Sequence, residues 1–195
     1  MIRRAKIERN TKETQISANL TLDGGGESQI ETPFPFLSHM LSGFTKHGIF
    51  DLTLSAKGDT EIDDHHTIED IGIVLGETIG KALGNKDKVN RFGYATIPLD
   101  EALAQVTVDL SGRPFLVYNV KMPRRKIKDF DTYMMEHFFR SLSDHALMTL
   151  HINLLYGSNP HHILEAIFKA FGRALHQASR INPQLKGVAS TKGTF

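Results

Sequence analysis

The sequence predicts an α+β fold made by tandem duplication of two similar halves, each a small sheet packed on helices. Three patterns support this within 195 residues. Alternating strand patterns occur in both halves, paired histidines eight residues apart follow them, and each half ends in an amphipathic stretch beginning His-His-x-x-Glu. We place the first α+β repeat at residues 1–90 and the second at 91–195, packed as one unit.

The earliest pattern in each half is a strand that closes in a glycine turn. Residues 13–23 alternate apolar and polar positions before Gly24, and residues 101–111 do the same before Gly112. The two stretches align without a gap. They therefore predict equivalent strands.

Two helices and a second strand follow in each half. Residues 36–47 and 134–145 have helical spacing, and each contains two histidines eight residues apart. Short β-rich runs at 52–54 and 148–150 come next, and a polar loop then opens the helix that begins His-His-x-x-Glu. Apolar positions alone could align by chance, but three motifs in the same order favour duplication.

Composition excludes several classes of partner. The formal net charge is +1, which provides no field for nucleic acid or anionic lipid. No run of eighteen apolar residues suggests a membrane span, and the absence of cysteine excludes disulfides and thiolate ligands. We expect a cytoplasmic protein with a small-molecule partner, no nucleic acid and no membrane, and we interpret the basic run at 123–128 as a solvated loop.

The histidine pairs indicate metal binding. Residues i and i+4 share one helix face, so His65 with Glu69, and His161 with Glu165, can each chelate one cation. The next residue points about 100° further round. His66 and His162 are therefore expected to reach the metal held by the other half.

Histidines on the preceding helices complete two symmetric ligand sets. His137 is expected to join His65, Glu69 and His162, and His39 to join His161, Glu165 and His66. Imidazole and carboxylate without sulfur suit Mn, Fe(II), Zn, Co or Ni. Four protein ligands leave two positions open on an octahedral ion, which favours a catalytic role.

The segments around these ligands resemble the imidazoleglycerol-phosphate dehydratase family. The resemblance rests on the residues at 62–72 and 157–169, with support at 36–41, 97–103, 111–114 and 190–193, and it spans essentially the whole chain. Two departures are Ser38, where an aspartate commonly precedes the histidine, and Ala189, where a proline often precedes the Ser-Thr-Lys segment.

The resemblance implies a duplicated α+β fold, two Mn²⁺ per active site, and a homo-oligomer of 24 subunits with sites between subunits. It implies the eight ligands named above, with Glu69 and Glu165 also in the catalytic group. Glu13 is our choice of proton shuttle because it is not a ligand. The other expected substrate contacts are Arg91, Arg113, Lys169, Ser190, Thr191 and Lys192. All of these except Thr191 are expected to bind the phosphate group.

The implied reaction converts imidazoleglycerol phosphate to imidazoleacetol phosphate in histidine biosynthesis. The proton lost is not next to a carbonyl, so we expect a dinuclear metal site to hold the ring as imidazolate, whose electrons expel the hydroxyl. Two alternatives remain open from the residues alone. One is a dinuclear metallohydrolase, and the other is a non-catalytic, metal-assembled shell protein.

Overall fold

A computed structural model describes residues 2–193. Its helices are α1 (Pro35–Gly48), α2 (Asp64–Leu83), α3 (Met134–Ala146) and α4 (Pro160–Ser179). The first-half strands are β1 (Arg4–Asn10), β2 (Thr14–Thr21), β3 (Ser28–Glu31) and β4 (Asp51–Gly58). The later strands are β5 (Phe92–Leu99), β6 (Ala102–Asp109), β7 (Phe115–Asn119), β8 (Lys126–Ile127), β9 (Phe130–Asp131) and β10 (Thr149–Tyr156).

Each half has a four-stranded sheet with the same topology. The strand order is β1-β2-β4-β3 in the first sheet and β5-β6-β10-β7 in the second. In both sheets the first three strands are antiparallel and the last pair is parallel. The predicted α+β fold with two similar halves is therefore confirmed.

Alternation along the strands places one face of each sheet against the helices. On β2, Ile16, Ala18 and Leu20 are buried, whereas Gln15 and Asn19 are exposed. Helix α2 packs on β1 and β2, and α4 packs on β5 and β6. The helices therefore lie between the two sheets.

The helices pair across the two halves. Helix α1 packs on α4, and α2 packs on α3, so each pair takes one helix from each repeat. Phe44 of α1 stacks on Phe171 of α4 with ring centroids 5.0 Å apart. This crossed pairing fuses the two halves through a shared apolar core.

Glycines allow the α2–α3 pair to pack closely. A Cβ atom on Gly72 would lie 2.6 Å from the carbonyl oxygen of Phe138, and one on Gly76 would lie 2.6 Å from that of Leu142. Both distances are below normal contact, so the backbones approach only because these residues have no side chain. The same packing fixes the rotation of α2 relative to α3.

A short ribbon, β8–β9, distinguishes the second half from the first. The basic run interpreted as a solvated loop includes strand β8, which pairs with β9. The buried ring of Phe130 holds this ribbon against Phe34 and Phe36, with centroid distances of 6.4 and 5.1 Å. The alternation pattern missed the ribbon because each of its strands has two residues.

Within residues 2–193, no helix has the length and apolar character needed to cross a membrane.

Candidate metal centre and substrate site

The paired histidines lie in the first turns of α2 and α4, where equivalent caps hold them. The Asp63 side chain accepts a hydrogen bond from the backbone N–H of His65 at 3.2 Å. Asn159 accepts one from the backbone N–H of His161 at 3.0 Å. Each cap satisfies an N–H that the helix itself leaves unpaired. Both repeats therefore present their histidine pairs from the same helical position.

One histidine–carboxylate cluster joins α1 to α4. Glu165 Oε2 lies 3.8 Å from His39 Nε2 and 3.2 Å from His161 Nε2. One candidate ligand atom from each of these residues lies within 4.8 Å of the others. Metal bonds of about 2.1 Å would separate adjacent ligand atoms by about 3 Å, so this cluster fits one transition-metal ion after small side-chain shifts.

The charges around Glu165 keep it ionised. Burial alone would raise the pKa of its carboxyl group, but the hydrogen bond and charge of Lys169 outweigh burial, helped by His39 and His161. The pKa is therefore lowered. Lys169 Nζ lies 2.8 Å from Glu165 Oε1, so the expected substrate-binding lysine contacts an expected ligand carboxylate in this chain.

The repeat-related cluster joins α2 to α3. His65 Nε2 lies 3.8 Å from Glu69 Oε2. The rings of His65 and His137 have centroids 4.6 Å apart, and Tyr133 lies edge-on to His137 at 4.9 Å. The crossed helix pairing thus brings together three members of each expected ligand set, with one helix from each half in each cluster.

The fourth expected member of each set contacts other groups within this chain. His66 Nδ1 lies 3.1 Å from Asp59 Oδ2, and His162 Nδ1 lies 2.7 Å from Glu101 Oε2. These hydrogen bonds are the largest causes of the raised pKa values of the two imidazoles. The structure therefore does not place His66 or His162 with the cluster expected for it in the same chain.

The Glu101 carboxylate has a strongly stabilised charge. Its hydrogen bond with His162, followed by one from the backbone N–H of Asn159, lowers its pKa to about 2. It also accepts from the backbone N–H of Ser158 at 3.2 Å. Glu101 is thus a fixed anion between the β5–β6 turn and the start of α4.

Glu13 lies beside His66 without a comparable network. Its Oε2 is 3.9 Å from His66 Nδ1, which is beyond a hydrogen bond, and its side chain is 59% exposed. Glu13 precedes β2 just as Glu101 precedes β6. The Glu13 carboxylate, our choice of proton shuttle, is therefore accessible to solvent beside the first turn of α2.

The residues expected to contact phosphate, except Lys169, gather at the opposite end of the second sheet, whereas Lys169 lies beside Glu165. Arg91 Nε donates to Asp109 at 2.7 Å, and its Nη1 donates to the carbonyl of Ala189 at 2.8 Å. Arg113 reaches Asp109 at 4.0 Å and is largely exposed. The Ser190 hydroxyl accepts from the backbone N–H of Lys192 at 3.2 Å, and Thr191 and Lys192 are exposed. These side chains form a cationic corner, which we call the phosphate corner.

The phosphate corner is far from the His39–His161–Glu165 cluster of the same chain. The backbone N–H of Arg91 donates to the carbonyl of Ala178 at 2.9 Å, near the C-terminal end of α4. His161 is in the first turn of that helix, and at 1.5 Å per residue the stretch between them is about 25 Å long. Along strand β5, at about 3.3 Å per residue, Arg91 lies about 30 Å from the turn that carries Glu101.

Sequence reasoning missed Asp59, Glu101 and Asp109. Glu101 could have been found from the repeat, because the gapless alignment places it opposite Glu13. Asp59 has no such signal, since its position opens a loop that differs in length between the halves. Asp109 appeared only as one polar position in a strand.

Comparison with known proteins gives a consistent result. The sequence model of the family described as imidazoleglycerol-phosphate dehydratase matches residues 32–175. Proteins of that name from Pelobacter propionicus and Geobacter sulfurreducens are 56% and 52% identical to this chain. The first alignment covers 100% of both chains, and the second covers 99% of both.

Solved structures agree in fold. The dehydratase from Staphylococcus aureus has a TM-score of 0.83 and 41% identity, covering 92% of this chain and 99% of its own. The enzyme from Pyrococcus furiosus has a TM-score of 0.84 and 36% identity, covering 97% and 100%. The matches extend over both repeats, including the two His-His-x-x-Glu segments, and the resemblance and hydro-lyase class expected from the sequence are confirmed. This chain belongs to the imidazoleglycerol-phosphate dehydratase family.

Proposed function

We propose that this protein dehydrates imidazoleglycerol phosphate to imidazoleacetol phosphate, a step of histidine biosynthesis, at a dinuclear manganese site. The observation that carries the proposal is the His39–His161–Glu165 cluster, in which one ligand atom of each residue lies within 4.8 Å of the others. The repeat-related residues His65, Glu69 and His137 lie at the equivalent place in the other helix pair. Family membership supports the reaction, and the ligand chemistry supports the metals.

The ligand residues would hold two Mn²⁺ ions per active site, with His66 and His162 completing the sets. Imidazole and carboxylate oxygen ligands suit manganese, and the 3.2 and 3.8 Å separations in the α1–α4 cluster suit ligand atoms of one ion. When bound, the two ions would stabilise the substrate ring as imidazolate, which makes loss of the neighbouring hydroxyl easier. Glu69 and Glu165 belong to the catalytic group because they provide the carboxylate ligands.

Glu13 is the proposed proton shuttle. The reaction removes a proton from one carbon and a hydroxyl from its neighbour, and the two leave together as water. The Glu13 carboxylate is exposed beside His66, and within residues 2–193 this 3.9 Å contact is its only ion pair, so it can accept the carbon-bound proton and pass it on. The resulting enol gives the ketone by tautomerisation.

The phosphate corner is the proposed binding site for the phosphate group. Arg91, Arg113, Ser190 and Lys192 offer guanidinium, ammonium and hydroxyl donors, and Thr191 lies between the last two. Asp109 orients the Arg91 guanidinium through its bidentate hydrogen bonds of 2.7 and 3.2 Å. Lys169 lies beside the metal cluster, where it would contact the bound substrate's reacting end.

These two parts of the site require more than one chain. A three-carbon phosphate ester cannot bridge the distance of about 25 Å that separates the two regions within one subunit. We therefore propose sites between subunits of a homo-oligomer, with 24 subunits as the family implies. In that assembly, His66 and His162 can complete clusters of a neighbouring chain. A cytoplasmic location suits such a biosynthetic enzyme.

Chelation and reconstitution test the proposal. The purified protein is stripped of metal with a chelator and then supplied with Mn²⁺, and ketone formation from imidazoleglycerol phosphate is followed together with particle size. We expect turnover only with metal, and no hydrolysis of generic phosphoesters. Hydrolysis without dehydration would favour a metallohydrolase, and metal-dependent assembly without turnover would favour a shell protein.

A further inference from the structure

We propose that Glu101 and Asp59 are positioning residues that hold the imidazoles of His162 and His66 ready for metal binding. Asp59 and Glu101 occupy different positions in the two repeats, and this difference also explains why Glu13 is available for proton transfer. This inference rests on the proposed metal-dependent function.

In the second half, Glu101 holds His162 through the nitrogen nearer the backbone. Glu101 Oε2 lies 2.7 Å from His162 Nδ1, and Oε1 accepts from the backbone N–H groups of Ser158 and Asn159 at 3.2 and 2.7 Å. Both carboxylate oxygens are thus fixed. Because Nδ1 is occupied, Nε2 is the nitrogen left to bind a metal, and it lies 4.0 Å from Asp100 Oδ2, which is beyond a hydrogen bond.

In the first half, Asp59 does the same for His66. Its two carboxylate oxygens lie 3.1 and 3.4 Å from His66 Nδ1, and its side chain is only 14% exposed. Its backbone N–H donates to the carbonyl of Glu13 at 3.1 Å, which ties the loop to the start of β2. His66 therefore also presents Nε2 as its available ligand atom.

The two halves reach the same arrangement from different positions in the repeat. Glu13 and Glu101 are equivalent, since each comes directly before the second strand of its half. The loop before α2 covers residues 59–63 and opens with Asp59, whereas the loop before α4 covers 157–159 and opens with Gly157. Gly157 has no side chain to hold His162, so Glu101 is needed there.

This difference between the repeats explains why Glu13 is exposed and makes no hydrogen bond to His66. Because Asp59 already occupies His66 Nδ1, Glu13 remains 3.9 Å away and 59% exposed, whereas Glu101 is held by three partners. Equivalent glutamates thus have different tasks: one orients a ligand and the other moves a proton. A carboxylate on the second ring nitrogen of a ligand histidine fixes its tautomer and typically contributes 10–100-fold to metal affinity.

Manganese titration of three full-length variants tests the inference. In Glu101→Gln the amide oxygen can keep the Ser158 and Asn159 bonds while its NH₂ group faces His162 Nδ1. That NH₂ donates, so it favours the wrong tautomer and puts the proton on Nε2. Asp59→Ala removes the other support, and Glu13→Gln is the matched control at the repeat-equivalent position.

We expect Glu101→Gln and Asp59→Ala each to raise the Kd for Mn²⁺ by about 10–100-fold, with unfolding midpoints of the metal-free proteins near wild type. Glu13→Gln should keep the wild-type Kd while losing turnover. Free Mn²⁺ is measured by electron paramagnetic resonance without substrate.

Wild-type Kd values in both Glu101→Gln and Asp59→Ala would overturn the inference, as would an equal loss of affinity in Glu13→Gln. The proposed reaction fails separately, if manganese-loaded wild-type protein forms no ketone. Binding and turnover are measured independently, so the two failures are distinguishable.

Discussion

Alanine substitutions at two glycines of α2 should have opposite effects on stability. Gly76 and Gly80 are one turn apart and both face α3. A Cβ on Gly76 would lie 2.6 Å from the Leu142 carbonyl oxygen, whereas one on Gly80 would lie 3.7 Å from the nearest backbone oxygens. Gly80→Ala therefore fits in ordinary van der Waals contact, but Gly76→Ala does not.

The magnitudes follow from those distances. A carbon–oxygen contact of about 3.3 Å requires α2 and α3 to part by about 0.7 Å in Gly76→Ala. Overpacking of this kind costs about 1–3 kcal/mol, which outweighs the helix-propensity gain of about 0.5–1 kcal/mol. We expect Gly76→Ala to lower the free energy of unfolding by about 1–2 kcal/mol and Gly80→Ala to raise it by about 0.5–1 kcal/mol.

Urea unfolding at one fixed protein concentration measures both variants, because assembly makes apparent stability depend on concentration. The wild-type protein is the reference, and circular dichroism reports helix content. If Gly76→Ala proved as stable as Gly80→Ala, the close α2–α3 packing would be refuted.

Three further predictions concern separate parts of the molecule. The hydrogen bond from Arg3 lowers the pKa of Asp23 below its ordinary value of 3.8. The ionised carboxylate therefore stabilises the fold fully above about pH 3.8, and this stabilisation is lost as the pH falls through the pKa that Asp23 has in the folded protein. Asp23→Asn should therefore flatten the acid side of the unfolding midpoint measured against pH; an unchanged slope would contradict this. Lys192→Ala should raise KM for the phosphorylated substrate while bound Mn²⁺ stays at wild-type content, and an unchanged KM would count against the phosphate corner. Phe130→Ala should lower the free energy of unfolding by about 3–5 kcal/mol at most and should speed hydrogen exchange in the β8–β9 ribbon. Phe130→Leu should have a smaller effect on both. Unaltered exchange would show that Phe130 does not hold the ribbon.

The duplicated pattern made the fold class predictable. Strand alternation before Gly24 and Gly112, and the two helices beginning His-His-x-x-Glu, are local signals that survive in a single sequence. The order of elements in each half follows from them. Family membership was predictable for the same reason, since the specific motifs lie in continuous segments.

Apolar periodicity alone does not predict the crossed helix pairing, which only the expected ligand sets indicated. An apolar stripe shows that a helix face is buried, but it does not identify the partner helix. The spacing of His65 and Glu69 indicated one shared face, and the expected pairing with His137 required tertiary contact between α2 and α3. The sequence likewise could not reveal that His66 contacts Asp59, because that contact depends on the conformation of a loop.

The phosphate corner illustrates another limit of sequence reasoning. Arg91, Arg113 and the segment at 190–192 are distant in sequence, and the sheet brings them to one end of the second repeat. No periodicity encodes their proximity. The same sheet separates them from the His39–His161–Glu165 cluster of their own chain, and for this reason we propose sites shared between subunits.

Co-expression of two inactive variants tests that requirement most directly. His161→Ala damages the metal cluster, and Arg113→Ala damages the phosphate corner. The two variants are mixed at equal ratio in the oligomers. A site shared between two chains is intact when an Arg113→Ala subunit provides its metal ligands and a His161→Ala subunit provides its phosphate corner, and about a quarter of the sites meet both conditions. We predict that dehydration at subsaturating substrate recovers to about a quarter of the wild-type rate per site. Recovery no greater than the sum of the two separate variants would contradict the account.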